Sequence, residues 1–254
     1  MIGILYSRAS GKTGRNLAAL LGFKCGKNIS LLEECDKIVN WGNTTYSDYS
    51  GRYIINTKDA VAESSSKGYA LFKMQKHGVC VPKTYTPKEA IDLCSRSDDT
   101  NLIGRKERHF GGSGFWECVN KIDIMNASSG GATHFLQKIN KIAEYRVHIF
   151  ANNLIKISKK TRGDPEKVLW NHKNGWIFYN LYNVGEKEKI SRIRDSHERM
   201  ILLAKRAIEL FKLDFGAVDI MYDGDEYYVL EINSAPALAG SGLSAYARAI
   251  KSIT

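Results

Sequence analysis

Between residues 216 and 236, two runs rich in β-branched and aromatic residues flank a turn signal, and three oxygen-bearing side chains lie within them. The runs are Gly216-Ala217-Val218-Asp219-Ile220-Met221-Tyr222 and Tyr227-Tyr228-Val229-Leu230-Glu231-Ile232-Asn233-Ser234-Ala235-Pro236, joined by Asp223-Gly224-Asp225-Glu226. Such a pattern predicts a β-hairpin. Glu231 and Asn233 are two residues apart and so share one face of their strand. An odd loop count or a bulge would bring Asp219 opposite Glu231, whereas an even, unbulged loop would turn it to the other face. Val218, Ile220, Val229, Leu230 and Ile232 mark a core strand pair, where an unpaired carboxylate is costly. Mg²⁺, commonly held by one or two carboxylates plus nucleotide phosphates, relieves that cost. The plainer alternative is a half-buried hairpin with its acids on a wet face.

A chain of 254 residues suffices for one large domain or two to three small lobes. With 43% hydrophobic and 25% charged residues it has the composition of a globular protein, which excludes a disordered chain. No apolar run approaches the roughly 18 residues of a membrane span. The start, Met1 to Tyr6, lacks the basic and long apolar stretches of a signal peptide, so a cytoplasmic location is expected. The five cysteines are scattered and odd in number, which fits reduced structural thiols and argues against a zinc site. A formal charge of +10 and a pI near 9.3 suit a nucleic acid partner or, equally, a polyphosphate and an acidic substrate. The basic residues do not form one aromatic-interleaved block, so direct nucleic acid binding is not favoured.

The opening strand runs into Ser7-Arg8-Ala9-Ser10-Gly11-Lys12-Thr13-Gly14. The phosphate-loop pattern G-x-x-x-x-G-K-[ST] requires glycine where this chain has Tyr6, so the segment reads as a strand-to-helix turn into Asn16 to Leu21. Further strands are expected at Lys37 to Trp41 and Tyr53 to Asn56, giving a small, mainly parallel lobe with Asn40, Asn43 and Asn56 as candidate ligand groups at strand ends. Ser66 to Gly78 reads as an amphipathic helix closed by glycine. Asn101 to Lys106 is a strand before the glycine-rich stretch Gly111-Gly112-Ser113-Gly114, whose backbone could approach phosphate oxygens. Glu144, Arg146 and His148 share one face of a strand that turns at Asn152-Asn153 into a basic return strand carrying Lys159 and Lys160. From Ser196 to Lys212, Met200, Leu203, Ala204, Ala207, Ile208 and Phe211 form a core stripe at helical spacing.

The hairpin motif, Gly216-Ala217-Val218-Asp219-Ile220 with Leu230-Glu231-Ile232-Asn233-Ser234-Ala235-Pro236, resembles the metal-binding end of the ATP-grasp superfamily. Val81-Pro82-Lys83-Thr84 after a helix and glycine is similar to the start of its central domains, and the chain looks closest to the compact ATP-grasp proteins of bacteriophage and bacterial genomes. The resemblance implies an α+β/α/β fold in which two α+β subdomains cradle ATP behind a small α/β N-terminal lobe. The implied domains are 1–62 for that lobe, 63–136 for the central subdomain with the glycine-rich loop, and 137–254 for the C-terminal subdomain with the metal site. It implies an ATP- and Mg²⁺-dependent (or Mn²⁺-dependent) carboxylate–amine ligase acting on small carboxylate and amine substrates, an amino acid or peptide among them.

By the same resemblance Asp219, Glu231 and Asn233 would hold the metal. Arg105 or Lys106, with Gly111, Gly112, Ser113 and Gly114, would meet the phosphates. Gln137, Lys138 and Ile139 would form the adenine hinge; Lys138 stands where an acid for the ribose is usual, with Glu144 as the substitute. Arg146, Lys159, Lys160 and Asn171 would serve the transferring group and substrate, Leu169 standing where related peptide ligases often carry arginine. The alternatives are a kinase of the same superfamily and, in another class, a basic nucleic-acid-binding protein.

Overall fold

The structure, a computed structural model, describes residues 1–47, 51–96, 100–107, 114–183 and 187–253. Local sequence rules account for the first layer. Strand β1 (Ile2–Tyr6), helix α1 (Gly11–Leu21), β2 (Lys24–Gly26), β3 (Lys37–Trp41) and β4 (Tyr53–Ile55) form a parallel sheet in the order β2-β1-β3-β4. Parallel strands are covered on both faces and read as continuous apolar runs, as Ile4-Leu5 and Ile38-Val39 do here. The glycine-rich turn after β1 leads straight into α1, which begins five residues earlier than the apolar spacing alone indicates.

Helices α2 (Lys58–Ser65) and α3 (Lys67–Lys76) follow, with Thr57 capping the first and Gly78 in the left-handed region beyond the second. The proposed boundary at residue 62 thus falls inside α2. A second, antiparallel sheet comprises β5 (Thr84–Tyr85), β6 (Leu102–Arg105), β7 (Phe115–Cys118) and β8 (His134–Gln137), ordered β5-β8-β6-β7. It is backed by α4 (Pro87–Cys94), which opens on a Thr86/Glu89 capping box with proline in its first turn, and by α5 (Lys121–Ser129).

The third sheet is antiparallel, in the order β11-β10-β9-β12-β13, from β9 (Ala143–Phe150), β10 (Asn153–Thr161), β11 (Ile177–Asn183), β12 (Phe215–Tyr222) and β13 (Tyr227–Asn233). The β9–β10 turn lies at Ala151-Asn152, both in the left-handed region, one residue before the expected Asn152-Asn153. Helix α6 (Lys187–Leu210) packs on its rear face through Met200, Ala204, Ala207 and Ile208, as the stripe predicts. The helix begins well before Ser196, across a non-helical residue at His197. Charged residues dominate 187–195, so apolar periodicity shows only the part beyond the break. Helix α7 (Ser241–Lys251) returns to the first lobe and packs on α1.

An aromatic cluster joins that lobe to the third sheet. Trp41 stacks on Phe215 at 5.0 Å between ring centres, Phe150 stacks on the other side at 5.5 Å, and the edge of Tyr246 meets both Trp41 and Phe215. Gly42, with φ of 79°, is required there, since a Cβ would stand 2.6 Å from that of Ala235. The candidate ligand groups of the first lobe are absorbed by the backbone. Asn40 donates to the carbonyls of Asn43 and Asn56, and Asn43 donates to those of Tyr6 and Lys27. Asn56 donates to Phe215 O at 2.9 Å and accepts from the amides of Asp214 and Phe215. All three are structural because their side chains supply donors and acceptors that the sheet ends lack. Cys25, Cys35, Cys80, Cys94 and Cys118 are free thiols. Among the described residues no helix is long and apolar enough to cross a membrane.

Asn56 is fully buried and sits in the left-handed region that asparagine tolerates and alanine resists. Asn56→Ala is expected to destabilise the fold by about 3 kcal/mol through two orphaned amides and a strained backbone. Denaturant unfolding should show a lowered midpoint at unchanged slope; a loss below about 0.5 kcal/mol would contradict the assigned role.

Candidate active site

A cleft enclosing about 260 Å³ lies between the second and third sheets. Ile103, Arg105, Leu136 and Phe115 form one wall, and Glu144, Lys160, Asp219, Met221, Leu230 and Glu231 the other. Lys67 of α3 and Trp170 of the 162–176 loop close its sides.

The acids come together through a bulge. Asp219 pairs with Glu231 and Ile220 with Val229, so Leu230 is the extra residue and the register shifts between 219 and 220. The four-residue loop alone would have turned Asp219 away; the bulge restores it to the face of Glu231 and Asn233. Arg146 stands opposite Asp219 on β9 and forms a two-pronged ion pair, Nε to Oδ1 at 2.6 Å and Nη2 to Oδ2 at 2.7 Å. Lys67 Nζ donates to Glu231 Oε2 at 2.7 Å and Asn233 Nδ2 to Oε1 at 3.2 Å. Burial opposes ionisation of Glu231, but Lys67, Arg146 and Asn233 hold its carboxyl down at about 2. Burial pushes Asp219 upward, and the guanidinium of Arg146 works against it. Burial and the charges of Arg146 and Lys156 push His148 well below the ordinary histidine range, so it is neutral, with Nδ1 3.3 Å from the Tyr246 hydroxyl.

The donor set fits a hard divalent cation. Two carboxylates face each other across one ladder rung beside an amide, and both already accept cationic groups. Among the described residues no cluster of three or more His, Cys, Asp or Glu side chains could hold a metal. Asp219, Glu231 and Asn233 are thus two acids and an amide, a set that reaches a full shell only with further oxygens from a ligand.

Glu144 organises a second network. Lys141 and Lys160 each take one of its carboxylate oxygens. The same lysines donate to loop carbonyls, Lys141 to Val168 O at 2.8 Å and Lys160 to Trp170 O at 2.7 Å. The Trp170 ring, stacked on Trp176 at 3.8 Å, is thereby fixed at the cleft. Glu144 thus orders two lysines and a loop in this structure, where the resemblance suggested a ribose acceptor. Burial lowers the pKa of Lys141, against the pull of Glu144.

The other expected residues divide by strand parity. Arg105 lines the cleft beside Ile103, while Lys106 lies over Trp116, its Nζ 5.5 Å from the ring centre. Lys160 faces the cleft, whereas Lys159 points to the opposite face of β10, over Tyr145. Successive strand residues alternate, so only one lysine of the pair can serve the site. Gln137, Lys138 and Ile139 lie at the cleft edge, but the amides of Gln137 and Lys138 already bond to the carbonyls of Lys83 and Asn101. Asn171 lines the cleft while its side-chain oxygen accepts from the amide of Asn174, shaping the loop turn. Gly111, Gly112 and Ser113 lie outside the described residues, and Gly114 O accepts from Lys106 N at 3.2 Å. Lys67, Lys141 and Trp170 carry no local signal of their role; only the helix start at Ser66 placed Lys67 near a helix terminus.

No known protein family matches the chain by sequence, and no curated protein does either. Solved structures do match. ATP-grasp ligase PsnB, with a phosphomimetic variant of a minimal precursor, Mg and ADP, superposes at TM-score 0.66 with 12% identity over 99% of this chain and 97% of that one. The chain has the ATP-grasp fold. D-alanine–D-alanine ligase from Bacillus anthracis, complexed with ATP, shares the fold at TM-score 0.64 and 13% identity, covering 98% of this chain and 94% of that one. So does the macrocyclase MdnC bound with precursor peptide MdnA from Microcystis aeruginosa MRC, at TM-score 0.62 and 15% identity over 99% and 98%.

A carboxyl held at about 2 in the fold favours the native state above the ordinary glutamate range and loses that contribution as pH falls through its folded value. Glu231 is therefore expected to contribute on the order of 3 kcal/mol at neutral pH that disappears between about pH 4.5 and 2. Unfolding free energies measured from pH 6 to 2.5 should fall more steeply for the wild type than for Glu231→Gln. Parallel curves would refute the assignment.

Proposed function

We propose that this chain is an ATP- and Mg²⁺-dependent carboxylate–amine ligase, releasing ADP and phosphate. The observation that carries the reading is the inter-sheet cleft, where the bulge sets two acids opposite each other and five Lys and Arg side chains line the space with three carboxylates. That excess of positive charge suits a polyphosphate. The apolar surfaces of Ile103, Leu136, Met221 and Leu230 suit a purine ring, with Ile139 at its polar edge. The PsnB and MdnC complexes contain precursor peptides and the third neighbour is a D-alanine ligase, which supports an amino acid or peptide as substrate.

On this reading Asp219, Glu231 and Asn233 would hold Mg²⁺, which supplies charge neutralisation on the phosphates during transfer. Arg105 and the 111–114 stretch orient the triphosphate, and Lys160 with Arg146 compensates charge at the transferring group. Lys159, facing away, has no part. A substrate carboxylate oxygen attacks the γ-phosphorus as the bond to ADP breaks. An amine nitrogen then attacks the acyl carbon, phosphate leaves with the C–O bond, and the amine proton passes to solvent. The Trp170 loop limits water in the cleft, so that the amine meets the acyl phosphate ahead of hydrolysis. Neutral, buried His148 is not required, since positioning and charge carry this chemistry.

Incubation with MgATP and pooled amino acids, small carboxylic acids and short peptides, with ADP, AMP and phosphate quantified and products weighed by mass spectrometry, tests the assignment. ADP and phosphate in equal amounts with a condensed product are expected, and Glu231→Gln should lower turnover about a hundredfold or more. A phosphorylated product without free phosphate would make the protein a kinase instead. Absence of both turnover and ATP binding would overturn the enzyme reading.

A further inference from the structure

Lys67 is the first residue of α3, and its ammonium lies 2.7 Å from Glu231 Oε2. The turn that carries it is clamped from the other sheet. Ser66 Oγ donates to Glu107 Oε1 at 2.6 Å and the Gly68 amide to Glu107 Oε2 at 3.0 Å. A Cβ at residue 68 would meet Glu107 Oε2 at 2.6 Å and His134 Nδ1 at 2.9 Å, so a larger residue there would disturb this contact. The first turn of α3 thus bridges the end of β6 and strand β13, with Lys67 held against a carboxylate that the proposed function gives to the metal.

We infer that Lys67 is a built-in counter-ion that stands in for the divalent cation at Glu231, making metal binding depend on a polyphosphate in the same cleft; the inference rests on the proposed metal site. Glu231 Oε2 cannot hold an ammonium at hydrogen-bond distance and a divalent cation in the same place. A metal taking Oε2 displaces Lys67, and one that also takes Asp219 opens its two-pronged pair with Arg146. The displaced ammonium would then stand near the guanidinium groups of Arg105 and Arg146 and the new cation, all of one sign. A polyphosphate entering the cleft supplies the missing negative charge. Metal alone is therefore resisted, whereas metal together with nucleotide is accepted, a coupling between two ligands to which Lys67 contributes through Glu231. Lys67 acts here as a positioning residue.

The test uses Mn²⁺ as probe, its free concentration read by electron paramagnetic resonance during titration of the full chain with and without ADP, after correction for Mn²⁺–ADP in solution. Without nucleotide, Lys67→Met is expected to bind Mn²⁺ on the order of tenfold more tightly than wild type, because the competing ammonium is gone and the carboxylate remains. Lys67→Arg, which keeps the charge, should stay close to wild type. Equal or weaker binding by Lys67→Met overturns the inference. Should that variant not fold, the wild type alone decides: nucleotide-free Mn²⁺ binding as tight as that with ADP also overturns it, with the metal site left standing. If wild type and Glu231→Gln both ignore Mn²⁺ even with ADP, the metal site itself falls and the inference with it.

Discussion

One backbone irregularity governs the chemistry of this fold. Had β12 and β13 paired without the bulge at Asp219 and Ile220, one of the two acids would have faced the apolar layer formed with α6. The extra residue at Leu230 sets both on the cleft side. Buried carboxylates demand cations, and the fold draws them from distant stretches: Arg146 from the neighbouring strand and Lys67 from a helix that precedes the second sheet. One bulge therefore fixes how three separate segments must meet.

The scaffold that keeps them in place is apolar on one side and polar on the other. The rear of the third sheet is locked by α6, while its outer end is locked to the first lobe by the Trp41, Phe150, Phe215 and Tyr246 rings. Asn56 ties the same region through the backbone of Asp214 and Phe215, at the start of the strand that carries Asp219. Packing at the lobe interface thus reaches the acids through a single strand. Glu144 performs the corresponding task for the 162–176 loop by holding the two lysines that grip its carbonyls.

What could be read in advance followed the range of the interaction. Alternation along 144–150, the 216–233 hairpin and the α6 stripe are local patterns, and each became the expected element. Placing Glu231 and Asn233 on one face needed only the period of a strand. Asp219 needed the bulge, which no local signal announces. Adjacent candidates such as Arg105 and Lys106, or Lys159 and Lys160, are separated only when strand parity is anchored to a known inner face. Asn40, Asn43 and Asn56 looked like ligand groups because asparagine at strand ends serves ligands and backbone equally well; their carbonyl partners lie in segments far along the chain. Lys67 and Lys141 were invisible for a related reason, since the reach of a lysine is set by what the tertiary fold puts at its tip.

The charge of the cleft follows the same logic. Four of its cations are matched by three carboxylates: Arg146 by Asp219, Lys67 by Glu231, and Lys141 with Lys160 by Glu144. Pairing spares these four groups the cost of burying a charge alone, which is several kcal/mol per group. A polyanion entering this space does not find bare cations; it exchanges places with internal carboxylates. On the proposed reading, affinity is limited by the pairs that must open, and selectivity rises, because a ligand bringing both negative charge and a cation releases Lys67 and satisfies Glu231 in one step. A binding surface built from exposed lysines alone would attract any polyanion. On the proposed reading, this cleft responds to a metal-bound polyphosphate.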